Sequence, residues 1–170
     1  GPRERHLQRK LNNPLFRAIG TITQQDIYTA QREDHSAMQL FMEQFRELNV
    51  GDLEGQPPTP EAWMAHNEVL SAWRRGELDV PFPGGENFWS VWQRVSDGYR
   101  QVLTAHPDQA VAIFAHGGIF TTSIKALCPD ADLADLLRQE NHNCSITEVE
   151  AGVQGDRLYG RLLQWAACNH

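Results

Sequence analysis

The sequence has few cysteines, and they do not follow the spacings that usually build a site. Cys128, Cys144 and Cys168 lie far apart and form no C-x-x-C pair. Neither a zinc site nor a disulfide framework is therefore indicated. Unpaired cysteines of this kind are typical of a reducing compartment, so we expect a cytoplasmic protein.

Two further absences narrow the class of partner. No apolar run approaches the roughly 20 residues of a membrane-spanning helix, and no secretory signal is visible. The net charge of −7 disfavours general binding to nucleic acid. We therefore expect neither a membrane nor a nucleic acid as partner. The chain has 170 residues, of which 41% are hydrophobic, and this predicts a single domain spanning 1–170.

The sequence also lacks the G-x-S-x-G motif that carries the nucleophile of serine esterases. An apolar run at 111–115 instead predicts a buried strand, and His116-Gly117-Gly118 follows it at the start of a helical pattern. A strand that turns on glycine into a helix presents free backbone N–H groups and the positive helix end to one point. His116 is therefore a candidate contact for a phosphate or an oxyanion.

Periodicity along the rest of the chain predicts an α/β domain. The first third contains no convincing strand, so we expect an N-terminal strand to be missing or divergent. Helices are predicted at 23–48, 61–75, 86–105, 117–127 and 130–140, and strands at 110–115, 144–149 and 158–164. Thr59 and Pro60 supply the cap and the first-turn proline of the second helix. We expect strand 110–115 to be central in the sheet, with His116 at its carboxyl edge.

Four segments together resemble the histidine phosphatase (phosphoglycerate mutase-like) superfamily. They occur in the order of that family and cover about three quarters of the chain. The segments are Phe45-Arg46-Glu47 with 51–55, Pro83-Gly84-Gly85-Glu86-Asn87 with Arg94-Val95, Ala115-His116-Gly117-Gly118, and Asn143-Cys144-Ser145-Ile146-Thr147.

The N-terminal segment departs from the family pattern. The family opens with a hydrophobic strand followed by R-H-G-(E/Q)-(S/T)-x-x-N. Here residues 5–12 keep the Arg, His, Gln and Asn of that motif, but Leu7 and Arg9 replace two family positions, and no apolar strand precedes them. Residues 13–21 resemble the next family motif, although the family places several tens of residues between the two. Either those residues are absent or only one match is real; we favour the match at 13–21.

The resemblance implies a three-layer α/β/α sandwich with a mostly parallel central sheet. It also implies a metal-independent phosphatase that acts on a small phosphomonoester through a phosphohistidine, with no cofactor. A neutral imidazole attacks phosphorus, and a carboxylic acid protonates the leaving oxygen. The implied site comprises His6 as nucleophile, Arg5 and Arg17 as phosphate clamps, Asn12 and Gly117 as substrate-binding residues, Glu47 as acid/base, and His116 as a second phosphate contact.

Structural interpretations of the same residues stay open. His116 could be a strand-end histidine satisfied by backbone, and Glu47, in a helical pattern, could lie on a solvated surface. His6 could belong to a basic N-terminal arm, and Arg17 could be a surface arginine. The corresponding hypothesis is a phosphatase-like fold that serves as a binding or scaffold module, and a homodimer is a further open alternative. Convergence of Glu47, Arg17 and His116 on one cleft would favour the enzyme.

Overall fold

The computed structural model describes residues 42–132, 136, 142 and 144–168, together with the backbone of 18–21. Four predicted site residues, Arg5, His6, Asn12 and Arg17, lie outside the described residues. Most of the predicted helices at 23–48 and 130–140 lie outside them as well. The described part contains strands β1 (Ala18–Thr21), β2 (Ala112–Ala115), β3 (Ile146–Gln154) and β4 (Arg157–Ala167), and helices α1 (Pro60–Arg74), α2 (Phe88–Ala105) and α3 (Gly117–Leu127).

The described part of the sheet differs from the mostly parallel sheet that was expected. Its described strands follow the order β2-β1-β3-β4. Only β1 and β2 are parallel, whereas β1–β3 and β3–β4 are antiparallel. The described sheet is therefore mixed rather than mostly parallel, because β3 and β4 are joined by a tight turn that only antiparallel neighbours accept. Strand β2 lies at one end of this order, so its predicted central position was wrong for the described strands.

Strand β1 corrects the expectation that the first third of the chain contains no strand. It pairs with β2 in parallel, and Thr21 lies opposite Ala115. On its other side it pairs with β3, where Ile19 lies opposite Thr147. The carboxyl ends of β1 and β2 therefore reach the same edge of the sheet, immediately before His116. Ligands bind at this edge in open α/β sheets.

The described helices begin where their capping residues predict. The Thr59 side chain accepts a hydrogen bond from the Ala62 N–H at 3.2 Å, and Pro60 occupies the first turn of α1. Asn87 and Ser90 form a reciprocal capping box at the start of α2. Each arrangement satisfies backbone donors that the first helical turn leaves free. The predicted helices are confirmed within two residues at these ends.

Helices α2 and α3 form the part of the core that supports the site. Val91, Val95 and Ile119 are fully buried, and the Tyr99 and Ser123 hydroxyls lie 3.3 Å apart across the two helices. The interiors of proteins are close-packed, so such contacts fix the relative position of the two helices. Within the described residues, no helix is both long and apolar enough to cross a membrane.

A second cluster of aromatic side chains lies beneath α1. Trp73 is buried, packs edge-on against Phe82, and donates from its indole N–H to the Val80 carbonyl at 2.7 Å. Trp73 is therefore a core residue. Trp63, at the start of the same helix, is exposed.

Candidate active site

His116 lies between the end of β2 and the first turn of α3. Its backbone is extended, with φ −110 and ψ 154, and its side chain makes no capping bond. Its carbonyl accepts from the Phe120 N–H at 3.2 Å, which begins the helix. The side chain is exposed, so it is accessible beside the N–H groups that begin the helix. The structure places His116 at the carboxyl edge of the strand, as predicted.

Glu47 lies in a segment that is not helical, although the apolar spacing at 23–48 predicts a helix there. A short 3-10 helix, Glu43–Phe45, ends just before it, and Arg46 is extended, with φ −60 and ψ 157. Phe45 and Leu48 are buried on either side while Glu47 is exposed. Two apolar residues three apart fit a helix, but here they anchor an irregular segment. The Glu47 side chain therefore lies at the surface, outside this core.

The Phe45 anchor is fitted to helix α2. Its ring packs edge-on against Tyr99, with the centroids 5.2 Å apart. A Cβ at Gly98 would lie 2.9 Å from the Phe45 ring, so only glycine at this position of the helix admits the ring so closely. The segment that carries Glu47 is therefore attached to the same core as α3.

The carboxylate of Glu47 lies directly against the first turn of α3. A Cβ added to Gly118 would be 2.5 Å from Glu47 Oε1 and 3.1 Å from Oε2. Gly118 is two residues after His116 and adjacent to Gly117. The structure therefore places Glu47 against the helix turn that follows His116 and Gly117, about 70 residues further along the chain. The carboxylate therefore lies beside the start of a helix, a position that in proteins commonly binds anions.

Glu86 and Arg94 form an ion pair behind this location. Arg94 donates from Nε to Glu86 Oε1 at 2.7 Å and from Nη2 to Oε2 at 2.9 Å. The two side chains are only 15% and 11% exposed. A two-point contact between guanidinium and carboxylate fixes orientation as well as distance.

The remaining N–H groups of Arg94 bind the backbone of the Glu47 segment. Its Nη1 donates to the carbonyls of Gln44 at 2.8 Å and Arg46 at 3.0 Å. Its Nη2 also donates to the Glu47 carbonyl at 3.2 Å. The Glu86 carboxylate in turn accepts from the Asn49 N–H at 2.9 Å. The pair therefore holds the chain on both sides of Glu47.

A sequence profile of the histidine phosphatase superfamily (branch 1) matches residues 8–161 of the chain. The chain belongs to the histidine phosphatase superfamily. It is accordingly a hydrolase of the phosphatase class. The matched range includes Asn12, Arg17, Glu47, Gly117 and His116 but begins after Arg5 and His6. A search of curated protein sequences found no significant match.

Several solved structures, two of which are named as phosphatases below, share the fold. A mycobacterial glucosyl-3-phosphoglycerate phosphatase in complex with VO3 is 20% identical, with a TM-score of 0.64 over 96% of this chain and 80% of that one. Bacillus stearothermophilus YhfR is 24% identical, with a TM-score of 0.63 over 96% and 81% of the two chains. The α-ribazole phosphatase of Shigella flexneri is 16% identical, with a TM-score of 0.57 over 98% and 81%.

Sequence reasoning quoted Glu86 and Arg94 only as parts of a family motif and assigned them no role. The sequence signal was the motif itself, in which P-G-G-E at 83–86 is followed by Arg94 within the next helix. Because Glu86 precedes the cap of α2 and Arg94 lies inside that helix, their side chains can meet on one face. The partner backbone at 44–49 is distant in sequence, so no local pattern could indicate it.

The Glu86 pair predicts a pH dependence of stability for this histidine phosphatase. Burial alone raises the pKa of Glu86, but hydrogen bonds from Arg94 and the Asn49 N–H, with the nearby positive charges, outweigh burial and hold that pKa below its ordinary 4.5. A depressed pKa in the folded state contributes stability that is complete above the unfolded value and is lost as pH falls through the folded one.

We therefore expect Glu86→Gln to lower the free energy of unfolding by about 3 kcal/mol near neutral pH, since it leaves a part-buried guanidinium without its counter-charge. The difference between wild type and variant should stay constant above about pH 5 and shrink below pH 4.5. Urea unfolding of both proteins across pH 3–7 measures it. A difference that is equally large at pH 3 and pH 7 would contradict the assigned charge state.

Proposed function

We propose that this protein hydrolyses a small phosphomonoester through a phosphohistidine intermediate, without a metal ion or other cofactor. The observation that carries the proposal is the packing of the Glu47 carboxylate against Gly118, in the helix turn that His116 begins. This arrangement puts a proton donor next to a site suited to a phosphate dianion.

In the proposed first step, an imidazole nitrogen of His6 attacks phosphorus and the ester P–O bond breaks. Protonated Glu47 gives its proton to the departing alkoxide oxygen, so the product leaves as an alcohol. In the second step water attacks the phosphorus, the P–N bond breaks, and Glu47 takes the proton from that water. Inorganic phosphate is released, and both residues return to their starting states.

The phosphate itself needs donors around its three peripheral oxygens. We assign this part to His116 and the N–H groups that begin α3 at Gly117. Arg5, Arg17 and Asn12 would complete the set, in the roles that the family resemblance implies. Glu47 and His116 are both exposed, so a substrate can reach them from solvent.

The substrate class is a small phosphorylated metabolite rather than a nucleic acid or a membrane lipid. The net charge of −7 disfavours a polyanionic partner. The two structural neighbours whose names give a phosphatase activity act on different phosphomonoesters, one on glucosyl-3-phosphoglycerate and one on an α-ribazole phosphate. They therefore support the reaction class and select no single substrate. A cytoplasmic location and a homodimer remain part of the proposal.

Trapping the intermediate tests this function. We expect acid-labile, base-stable label from a 32P-phosphomonoester to be retained after rapid denaturation in alkali and to map to His6, with unchanged labelling in the presence of EDTA. His6→Ala should retain no label. Label on His116 would overturn the assignment of the nucleophile, and turnover that requires a divalent ion would overturn the metal-independent mechanism.

Two observations favour a second candidate, a phosphate-binding module on the same fold. The family match begins after His6, and β1, beside β2, is followed by Ile22 rather than by a histidine. The family resemblance places the nucleophile directly after its first strand. The binding module is the function if three results are found together: vanadate binds, no label is retained, and no aryl phosphate is hydrolysed.

A further inference from the structure

We infer that Arg94 is a positioning residue for the reaction: through Glu86 and the backbone at 44–47 it holds the Glu47 carboxylate in place to donate its proton. The inference rests on the proposed function of Glu47. It adds a requirement that the family assignment does not contain, namely that proton donation by Glu47 depends on a guanidinium carried by helix α2.

The need for such a residue follows from where Glu47 lies. Its side chain is exposed, so core packing does not confine it. The described structure gives its carboxylate one hydrogen bond, from the N–H of the next residue, Leu48, to Oε1 at 2.9 Å. The other constraint is the close approach to Gly118. Neither contact sets the direction of the backbone from which the side chain projects.

Arg94 sets that direction. It donates to the carbonyls of Gln44, Arg46 and Glu47 from two nitrogen atoms, within 3.2 Å in each case. The carbonyl of Glu47 belongs to the same residue as the acid, so a rotation of that peptide would move the carboxylate. Since Arg94 lies on α2, these hydrogen bonds fix the Glu47 backbone relative to α2, which also packs against α3.

Glu86 supplies the second half of the device. Its Oε1 accepts from Arg46 at 3.2 Å, and its Oε2 accepts from the Asn49 N–H at 2.9 Å. Its backbone N–H donates to the Asn49 carbonyl at 2.9 Å. Glu47 therefore lies between two points, Arg46 and Asn49, that are bound to one carboxylate. The same carboxylate fixes the orientation of Arg94.

The contact pattern requires arginine specifically. Arginine presents five N–H donors in a rigid planar fork, whereas lysine has a compact ammonium on a flexible stem. Lysine at position 94 would keep the positive charge beside Glu86 but could not bridge two carboxylate oxygens and three carbonyls. Arg94→Lys therefore separates the charge of the residue from its geometry.

The test uses the dependence of the reaction on the leaving group. A general acid matters most for a basic leaving group and little for one that departs unprotonated. We compare phenyl phosphate with 2,4-dinitrophenyl phosphate and use kcat/KM, which reports the first phosphoryl transfer. For Arg94→Lys we expect a loss of about 10- to 100-fold on phenyl phosphate, and a loss of about threefold or less on the dinitrophenyl ester.

Glu47→Gln serves as the reference for a lost acid. If Glu47→Gln lowers kcat/KM equally for both esters, the proposed role of Glu47 fails, whatever Arg94 does. If Glu47→Gln shows the selective loss but Arg94→Lys lowers both esters equally, or lowers neither, the positioning role of Arg94 is overturned. The two failures are therefore distinguishable.

Two further variants separate positioning from folding. Arg161 forms an ion pair with Glu150 on the exposed hairpin, and Arg161→Lys should leave both esters unchanged. If Arg94→Lys is not folded, Glu86→Gln tests the same device, since the amide keeps the shape but weakens the hold on Arg94. It should show the same selective loss on phenyl phosphate; an equal loss on both esters in a folded Glu86→Gln protein would also overturn the inference.

Discussion

Replacing Glu47 with glutamine should lower kcat/KM for phenyl phosphate by a factor of about 10²–10⁴, the usual cost of removing a general acid. Glutamine has nearly the same shape as glutamate and fits the same space beside Gly118, but it has no acidic proton to give to the leaving oxygen. The side chain is exposed, so the free energy of unfolding should change by less than about 0.5 kcal/mol.

The matched control is Glu43→Gln, four residues earlier in the same segment. Glu43 is exposed and pairs with Arg46 at 2.9 Å, an ion pair of the exposed type that contributes little to stability. It should retain wild-type kcat/KM. Steady-state kinetics on phenyl phosphate, with urea unfolding of each variant, measure both effects. Full activity of Glu47→Gln would remove the acid from the proposed mechanism and leave the anion site without its catalytic partner.

The described helices could be predicted because their signals are local. Thr59 and Pro60 mark the start of α1 within one turn of chain, and the apolar spacing of Val91, Val95 and Tyr99 indicates the buried face of α2. Each helix depends on contacts between residues three or four apart, which the sequence displays directly. The strand before His116 was also predictable, since an apolar run ends there at a polar residue and glycine.

The arrangement of the sheet could not be predicted in the same way. Strand β1 has four residues, one of them Gly20, and so few residues show no period. Its place between β2 and β3 depends on pairing with residues 112–115 and 146–148, far along the chain. Long-range pairing of this kind leaves no signal in a window of sequence, and the mostly parallel sheet was an expectation from the family resemblance.

The local geometry of the candidate site could not be predicted from the sequence. His116 and Glu47 were singled out by motif, and the structure places Glu47 against Gly118, two residues after His116. The predicted helical conformation at Glu47 was wrong. Phe45 and Leu48 have the three-residue spacing of a helix, but each is buried from an irregular segment. The backbone at Glu47 is held by a hydrogen bond from Arg94, which lies on helix α2.

Alanine at position 118 should reduce kcat/KM for phenyl phosphate by about 10²-fold, since misplacing a catalytic group by about 1 Å can cost this much. The new Cβ would lie 2.5 Å from Glu47 Oε1 and 3.0 Å from Cδ, so the carboxylate must move. The folded state should not suffer, because the displaced group is the free end of a flexible, exposed side chain. Glycine to alanine within a helix even favours the helix by up to about 1 kcal/mol.

The control variant should change stability and leave activity unchanged, the reverse of what is expected for Gly118→Ala. Gly155, in the β3–β4 turn, has φ 59 and open space where a Cβ would be. Gly155→Ala should therefore lower stability by about 1 kcal/mol through backbone strain and leave activity intact.

A double variant separates a displaced carboxylate from other damage at Gly118. Glu47→Asp is one methylene shorter, so adding Gly118→Ala to it should cost much less than 10²-fold. Equal losses in both backgrounds would show that Gly118 acts independently of Glu47, and that the contact between them does not set the position of the acid.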